Sequence, residues 1–335
     1  MQSALWAILG IGLMMFVHEL GHYLGGRANG IKVVEFALGF GPKLFSFRRG
    51  ETMFSVRLIP VWAYAAMEER TDPPGRGFLE KSVLQRMSVM IAGPAMSLLL
   101  AAVLFTLIFS AIGTPHPTTV IEEVMAGYPA EAAGIRKGDR IAAINDKPVN
   151  SWQDIVSAFQ GSAGIRTRVT LLRDGLTVHS DVVPVKGDGG RGIVGIRPVL
   201  EMRTEGIVQA IGDGFKQTLW VSSAWVRQLA SIVMGKAKLE IVSAVGIGQM
   251  IGEASRNSLG DALFLIAVFS AVVGLGSLLP LPGFDGGRLL FLAIEAVRGR
   301  PVDPDKENLF HFIGFAVLLA LGIVIILRDI QRLMG

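Results

Sequence analysis

Four stretches of this chain are apolar for long enough to cross about 30 Å of hydrocarbon as helix. They are Ala4–Leu24, Ser88–Ile112, Ala262–Pro282 and Asn308–Leu327, and in the last three no Asp, Glu, Lys or Arg interrupts the run. Lipid offers no partner for a bare peptide group, so each stretch is expected to be helical. The fold class that follows is a polytopic α-helical membrane protein with four transmembrane helices. Composition agrees, because 51% hydrophobic and only 18% charged residues exceed what an ordinary soluble chain carries. The first run is expected to be retained rather than cleaved as a leader, since Met1-Gln2-Ser3 has no basic residue and no small-residue cleavage site precedes the polar chain.

The loops set the expected orientation. Residues 25–87 carry ten Lys or Arg, and the 283–307 connection adds Arg288, Arg298, Arg300 and Lys306. Basic loops stay on the cytoplasmic side, which puts both termini and the long 113–261 segment outside the cytoplasm. The net charge of +4 is modest and its basic residues are dispersed, which excludes nucleic acid as a partner. With no cysteine anywhere, disulfides and thiolate chemistry are excluded, and a metal would need His, Asp or Glu.

Between the spans the composition changes three times, giving four expected regions: 1–112, 113–200, 201–260 and 261–335. In the first, VVEFAL (33–38), KLFSFR (43–48) and TMFSVRLI (52–59) are β-favouring runs separated by GFGP and RRGE, so a small membrane-associated β-hairpin region is expected beside the bilayer. The second has ordinary charge density, and GYPAEAAGIRKGDRIAAINDKPVNSWQDIVSAFQ (127–160) reads as a short helix, a GD turn, an alternating strand, an Asn-Asp turn and a second helix. In the third, Ile207, Ile211, Phe215 and Leu219 recur at helical spacing with Trp220 and Trp225 near them. Such a helix suits the membrane interface, and equally well ordinary packing against a soluble domain.

The chemistry concentrates at HELGH (18–22), at the end of the first apolar run. Four residues apart on a helix, His18 and His22 share a face and can direct nitrogens at one metal ion, while Glu19 is offset so that it reaches a water instead. That is the zinc-hydrolase pattern, in which the glutamate takes the proton of a water made acidic by zinc. A charge near the bilayer centre costs about 2.5–3.5 kcal/mol, and core packing gains nothing from it. The competing reading is interfacial side chains reaching for water. Catalytic zinc sites use three protein ligands. Of the remaining histidines only His311 falls at a suitable depth, and an interfacial role suits it better. Asp285 in SLLPLPGFDGGRLL (277–290) is the better third ligand, because Pro280 and Pro282 break the span and place the acid at the depth of His18. Capping of the following helix is the alternative for Asp285.

With HELGH in the first span and LPLPGFDGG in the third, the chain resembles the site-2 protease family of intramembrane zinc metalloproteases, peptidase family M50. The likeness is closest to the bacterial members that cut anti-sigma factors and signal-peptide remnants. Its AGI..GD.I..IN....W pattern resembles a single α+β PDZ domain, which implies binding of a peptide or a new C-terminus. The resemblance implies zinc held by His18, His22 and Asp285, Glu19 as general base, and a multi-pass protein of the bacterial inner membrane. The active site would face the cytoplasm, the PDZ domain would be extracytoplasmic, and the substrates would be single-span membrane proteins in the lipid bilayer. It also implies that the region 40–64 presents substrate as an extended strand, with Phe54, Val56 and Ser277 as substrate-contacting candidates. The chain carries Ser97 and Ser277 where the family commonly has Asn, Trp62-Ala63 for a glycine pair, and Ala244-Val245 for Gly-Pro. Two other functions fit parts of the sequence: a non-catalytic PDZ scaffold, which Glu19 argues against, and a membrane-anchored HExxH peptidase of another family, which the apolar run around His18 argues against.

Overall fold

The computed structural model describes the chain except for Met1 and residues 188–190, 239–241, 304, 315, 318, 321 and 323–335. Contacts divide it into two units, Met1–Ala111 with Glu205–Gly335, and Ile112–Thr204. The first begins with helix α1 (Gln2–Ala28), continues through strands β1 (Val33–Arg49) and β2 (Thr52–Met67), and enters helix α2 (Val83–Leu107). Ser82 starts α2 with a capping box, its hydroxyl accepting from the Gln85 amide at 3.3 Å while Gln85 Oε1 accepts from the Ser82 amide at 3.1 Å. A single π-turn, Ile108–Ile112, follows α2.

The β region differs from three runs divided by turns. GFGP does not reverse the chain. Gly39 and Gly41 sit at φ +92° and +90°, a conformation glycine adopts without steric cost, so β1 bends there and stays one strand. The hairpin then doubles over on itself. Residues 35–38 lie between 53–56 on one side and 63–66 on the other, and 43–49 pair along the far side of 52–57. Aromatic rings fasten this sheet to α1: Phe16 and Tyr23 meet Phe36 at 5.4 and 5.5 Å, and Tyr23 meets Phe54 at 5.7 Å.

The inserted unit runs β3 (Thr114–Val124), α3 (Pro129–Ala132), β4 (Arg140–Ile144), β5 (Lys147–Pro148), α4 (Trp152–Phe159), β6 (Thr167–Arg173), β7 (Leu176–Val182), β8 (Val185–Lys186), β9 (Gly192–Ile193) and β10 (Ile196–Arg203). Its main sheet has the order β10-β3-β4-β6-β7, and Ile121, Ile141, Ile144, Ile155, Val169 and Leu171 fill the core. Ile141 and Ile144 are three apart, which strict alternation would send to opposite faces. A register shift between Ile141 and Ala143 against β6 lets both point inward. The expected boundary at 200 moves to Thr204 because β10 runs on to pair Arg203 with Thr114.

The first unit resumes with α5 (Ile207–Val233), α6 (Ala244–Asn257), α7 (Leu259–Ser277) and α8 (Asp285–Arg298). Three helical stretches among the described residues are long and apolar enough to cross a membrane: Ser3–Ala28, Val83–Ile112 and Leu259–Ser277. The last begins three residues before the expected Ala262, where the Ser258 hydroxyl accepts from the Asp261 amide at 3.0 Å. It stops short of Pro282 because Pro280 disfavours helix in the residue before it. Of the fourth expected span, 308–327, residues 308–314, 316, 317, 319, 320 and 322 are helical, and the rest lie outside the described residues. Helix α5 packs along α2, where a Cβ on Gly214 would fall 2.8 Å from the Ala102 carbonyl, and it brings Trp225 to Gly276 of α7. Its outward face keeps Ile211, Phe215, Leu219 and Trp220 exposed.

Candidate active site

The sequence places two imidazoles one helical turn apart, and α1 buries both. His18 and His22 are each 6% exposed, on the side of α1 that meets α2. The helices approach closely at this level: a Cβ on Gly93 would lie 2.3 Å from His22 Nε2, so only glycine leaves the ring its place. Backbone and hydroxyl groups of α2 then orient the rings. His22 Nδ1 donates to the Val89 carbonyl at 2.9 Å, and His18 Nδ1 lies 2.9 Å from Ser97 Oγ. A carbonyl only accepts, so the neutral His22 carries its proton on Nδ1 and turns an Nε2 lone pair inward.

Asp285 comes to the same point from the other side. The break after α7 brings it to the first position of α8, and Phe284, not Asp285, occupies the cap position. Its carboxylate turns to the histidines, with Oδ2 3.1 Å from His18 Nε2 and Oδ1 3.3 Å from His22 Nε2. The two Nε2 atoms are 3.3 Å apart. Capping, the alternative for Asp285, is therefore not what its side chain does. This cluster is the group of three metal-ligating side chains found among the described residues, with one ligand atom from each lying within 4.8 Å of the others.

The separations fit a tetrahedral metal. Donors about 2.0–2.1 Å from a tetrahedral zinc stand about 3.3 Å apart, which is the spacing of these atoms. Two imidazoles and one carboxylate also form a suitable donor set for a hydrolytic zinc, with a fourth position left for water or substrate. Glu19, next along α1, points elsewhere: its Oε2 accepts the Ala65 amide of β2 at 3.2 Å. The structure thus brings His18, Glu19, His22 and Asp285 together with one edge of the doubled sheet.

The remaining candidates are dispersed. The Ser277 hydroxyl donates to the Gly274 carbonyl of its own helix at 2.9 Å. Phe54 is stacked on Phe47 at 5.3 Å within the aromatic cluster against α1, and Val56 is exposed. His311 accepts the Gly283 amide at 3.1 Å, which ties the start of the last helical segment to the turn that carries Asp285. Sequence reading missed Val89, Ser97 as a partner of His18, and the Ala65 amide. The signal for the first two was present, because Val89, Gly93 and Ser97 are spaced four apart and share one face of α2.

A bundle of apolar helices enclosing two histidines and an aspartate at zinc spacing, with a glutamate beside them, defines a membrane-embedded metallohydrolase. The profile of peptidase family M50 matches residues 6–321, and the chain belongs to that family. Among its relatives, the regulator of sigma-W protease RasP of Bacillus subtilis is 30% identical, covering 97% of each chain. The zinc metalloprotease RasP of Geobacillus kaustophilus is 29% identical over 99% of this chain and 98% of its own. A solved PDZ domain of the SdrC-like protein of Listeria innocua matches 24% of this chain and 92% of its own at 17% identity, with a TM-score of 0.22. The chain is a zinc metalloendopeptidase of the intramembrane site-2 type.

Proposed function

We propose that this enzyme hydrolyses peptide bonds in or near the transmembrane segments of single-span membrane proteins, with His18, His22 and Asp285 as zinc ligands and Glu19 as general base. The observation that carries the assignment is the convergence of two imidazole nitrogens and a carboxylate at 3.1–3.3 Å. Bound there, zinc supplies a Lewis acid that brings the pKa of water toward 7. The rest of the mechanism belongs to the chain. Val89 and Ser97 keep the imidazoles turned to the ion. Glu19 takes the proton of the attacking water and returns it to the departing amine nitrogen, a role worth about 10²–10⁴ in rate.

A transmembrane substrate hides its peptide bonds in its own helical hydrogen bonds, so the scissile segment must unwind before it can react. The segment of β2 next to Glu19 offers it a strand to pair with. The positive-inside balance of the loops supports a site opening toward the cytoplasm and an inserted unit outside it, in the inner membrane of a bacterium. That unit acts as a PDZ domain, docking a peptide or a new C-terminus left by an earlier cut, and anti-sigma factors or signal-peptide remnants suit such a scheme.

The test replaces Glu19 with Gln and with Asp and follows cleavage of a single-span reporter alongside zinc content. Glu19→Gln should keep its zinc and lose at least two orders of magnitude in cleavage. Full cleavage by Glu19→Gln would overturn the assignment.

A further inference from the structure

The doubled sheet has four segments, and one side chain from the first touches residues of the other three. Glu35 in the 33–38 segment accepts from the Ser55 hydroxyl at 2.8 Å, the Tyr64 hydroxyl at 2.9 Å and the Arg57 guanidinium at 3.0 Å, and Lys43 Nζ lies 3.2 Å away. Ser55 and Arg57 belong to 52–57, Lys43 to the strand paired with it, and Tyr64 to the segment that ends at the active site. Arg57 also donates to the Tyr64 hydroxyl at 2.6 Å and to the Gly41 carbonyl at 3.0 Å, so the same network fixes the bend in β1. Ala65, the neighbour of Tyr64, donates its amide to Glu19.

We propose that Glu35 is a positioning residue for proteolysis: by joining all four segments it sets the edge formed by residues 63–67 in register with Glu19. Residues 63–67 pair with β1 on one flank, and the other flank takes the Ala65 amide to the active site. A strand held on one flank frays unless something else anchors it. The Tyr64 hydroxyl, gripped by Glu35 and Arg57, is that anchor. Burial pushes the Glu35 carboxyl up, but the hydrogen bonds from Ser55, Tyr64, Lys43 and Arg57 outweigh it and hold the group at about 2, so the anchor stays charged at any physiological pH. A substrate strand that adds to this edge meets a fixed row of backbone groups, and its scissile bond is delivered at one height relative to Glu19.

The inference rests on the zinc and Glu19 assignments, and the experiment separates the two. Wild type, Glu19→Gln, Glu35→Gln, Tyr64→Phe and Ser55→Ala are purified as the full chain. Zinc content, cleavage kinetics on one single-span reporter and amide exchange over 63–67 are measured for each. Glu35→Gln should keep its zinc, raise KM about tenfold or more, and speed exchange at 63–67 while leaving α1 unchanged. Tyr64→Phe should shift the same quantities in the same direction by a smaller factor, and Ser55→Ala, whose segment is paired on both flanks, should change them least. If Glu35→Gln cannot be folded, Tyr64→Phe alone decides. A lower kcat with KM and exchange unchanged would reduce Glu35 to a general stability role and overturn the inference. Cleavage by Glu19→Gln would instead overturn the mechanism on which it rests.

Discussion

Each unit of this protein shields a carboxylate from solvent, Asp139 fully and Asp285 in part, and the two are treated in opposite ways. Asp139, in the inserted unit, is 1% exposed and saturated: the Arg173 guanidinium reaches its two oxygens at 2.7 and 2.8 Å, and the Arg136 amide adds a bond of 2.8 Å. Asp285, in the helical unit, meets two imidazoles, and among the described residues no Lys or Arg is paired with it. A permanent cation closes the first site and makes it a fastening between β4 and β6. The second leaves lone pairs facing one another, an arrangement that only a proton or a metal ion relieves. An acid withdrawn from solvent is common to both. What separates a ligand from a fastening is whether the chain supplies its own cation.

Removing each partner sharpens this contrast. Asp139→Ala leaves the Arg173 guanidinium and the Arg136 amide without their acceptor and should lower the unfolding temperature of the inserted unit while leaving zinc content unchanged. Thermal unfolding and metal analysis of the same preparation check both halves, and zinc loss in this variant would break the comparison. A smaller effect is expected at Ser97→Ala, which removes the hydroxyl beside His18 Nδ1 and leaves every ligand in place. Zinc affinity should fall about 10–100-fold, measured by competition with a chelator, without loss of fold. Unchanged affinity would mean that helix packing alone orients His18.

The parts of the molecule also differ in how far the sequence announces them. The proposed metal ligands were legible because each rests on a local rule: four-residue spacing puts His18 and His22 on one face, and paired prolines inside an apolar span mark the break that precedes Asp285. The Asn145-Asp146 turn of the inserted unit was equally legible, since both residues sit at positive φ as an Asn-Asp turn in a tight hairpin allows. The groups that orient the ligands were not. Val89 and Ser97 matter only once the contact face of α2 against α1 is known. That face is set by Gly21 and Gly25 against Ala92 and Gly93, a small-residue crossing whose G-x-x-x-G spacing stood in the sequence. The Ala65 amide was further out of reach, because it depends on a hairpin folding back over itself. GFGP reads locally as a turn, and only the pairing of 35–38 with both 53–56 and 63–66 reveals it as a bend.

The central claim is that α1 and the first residue of α8 hold one zinc between them. Metal analysis of the purified protein, its Asp285→Ala variant and its Glu19→Gln variant tests this most directly. The account predicts about one zinc per chain in the wild type and in Glu19→Gln, and a large loss in Asp285→Ala. Full zinc content in Asp285→Ala would contradict it.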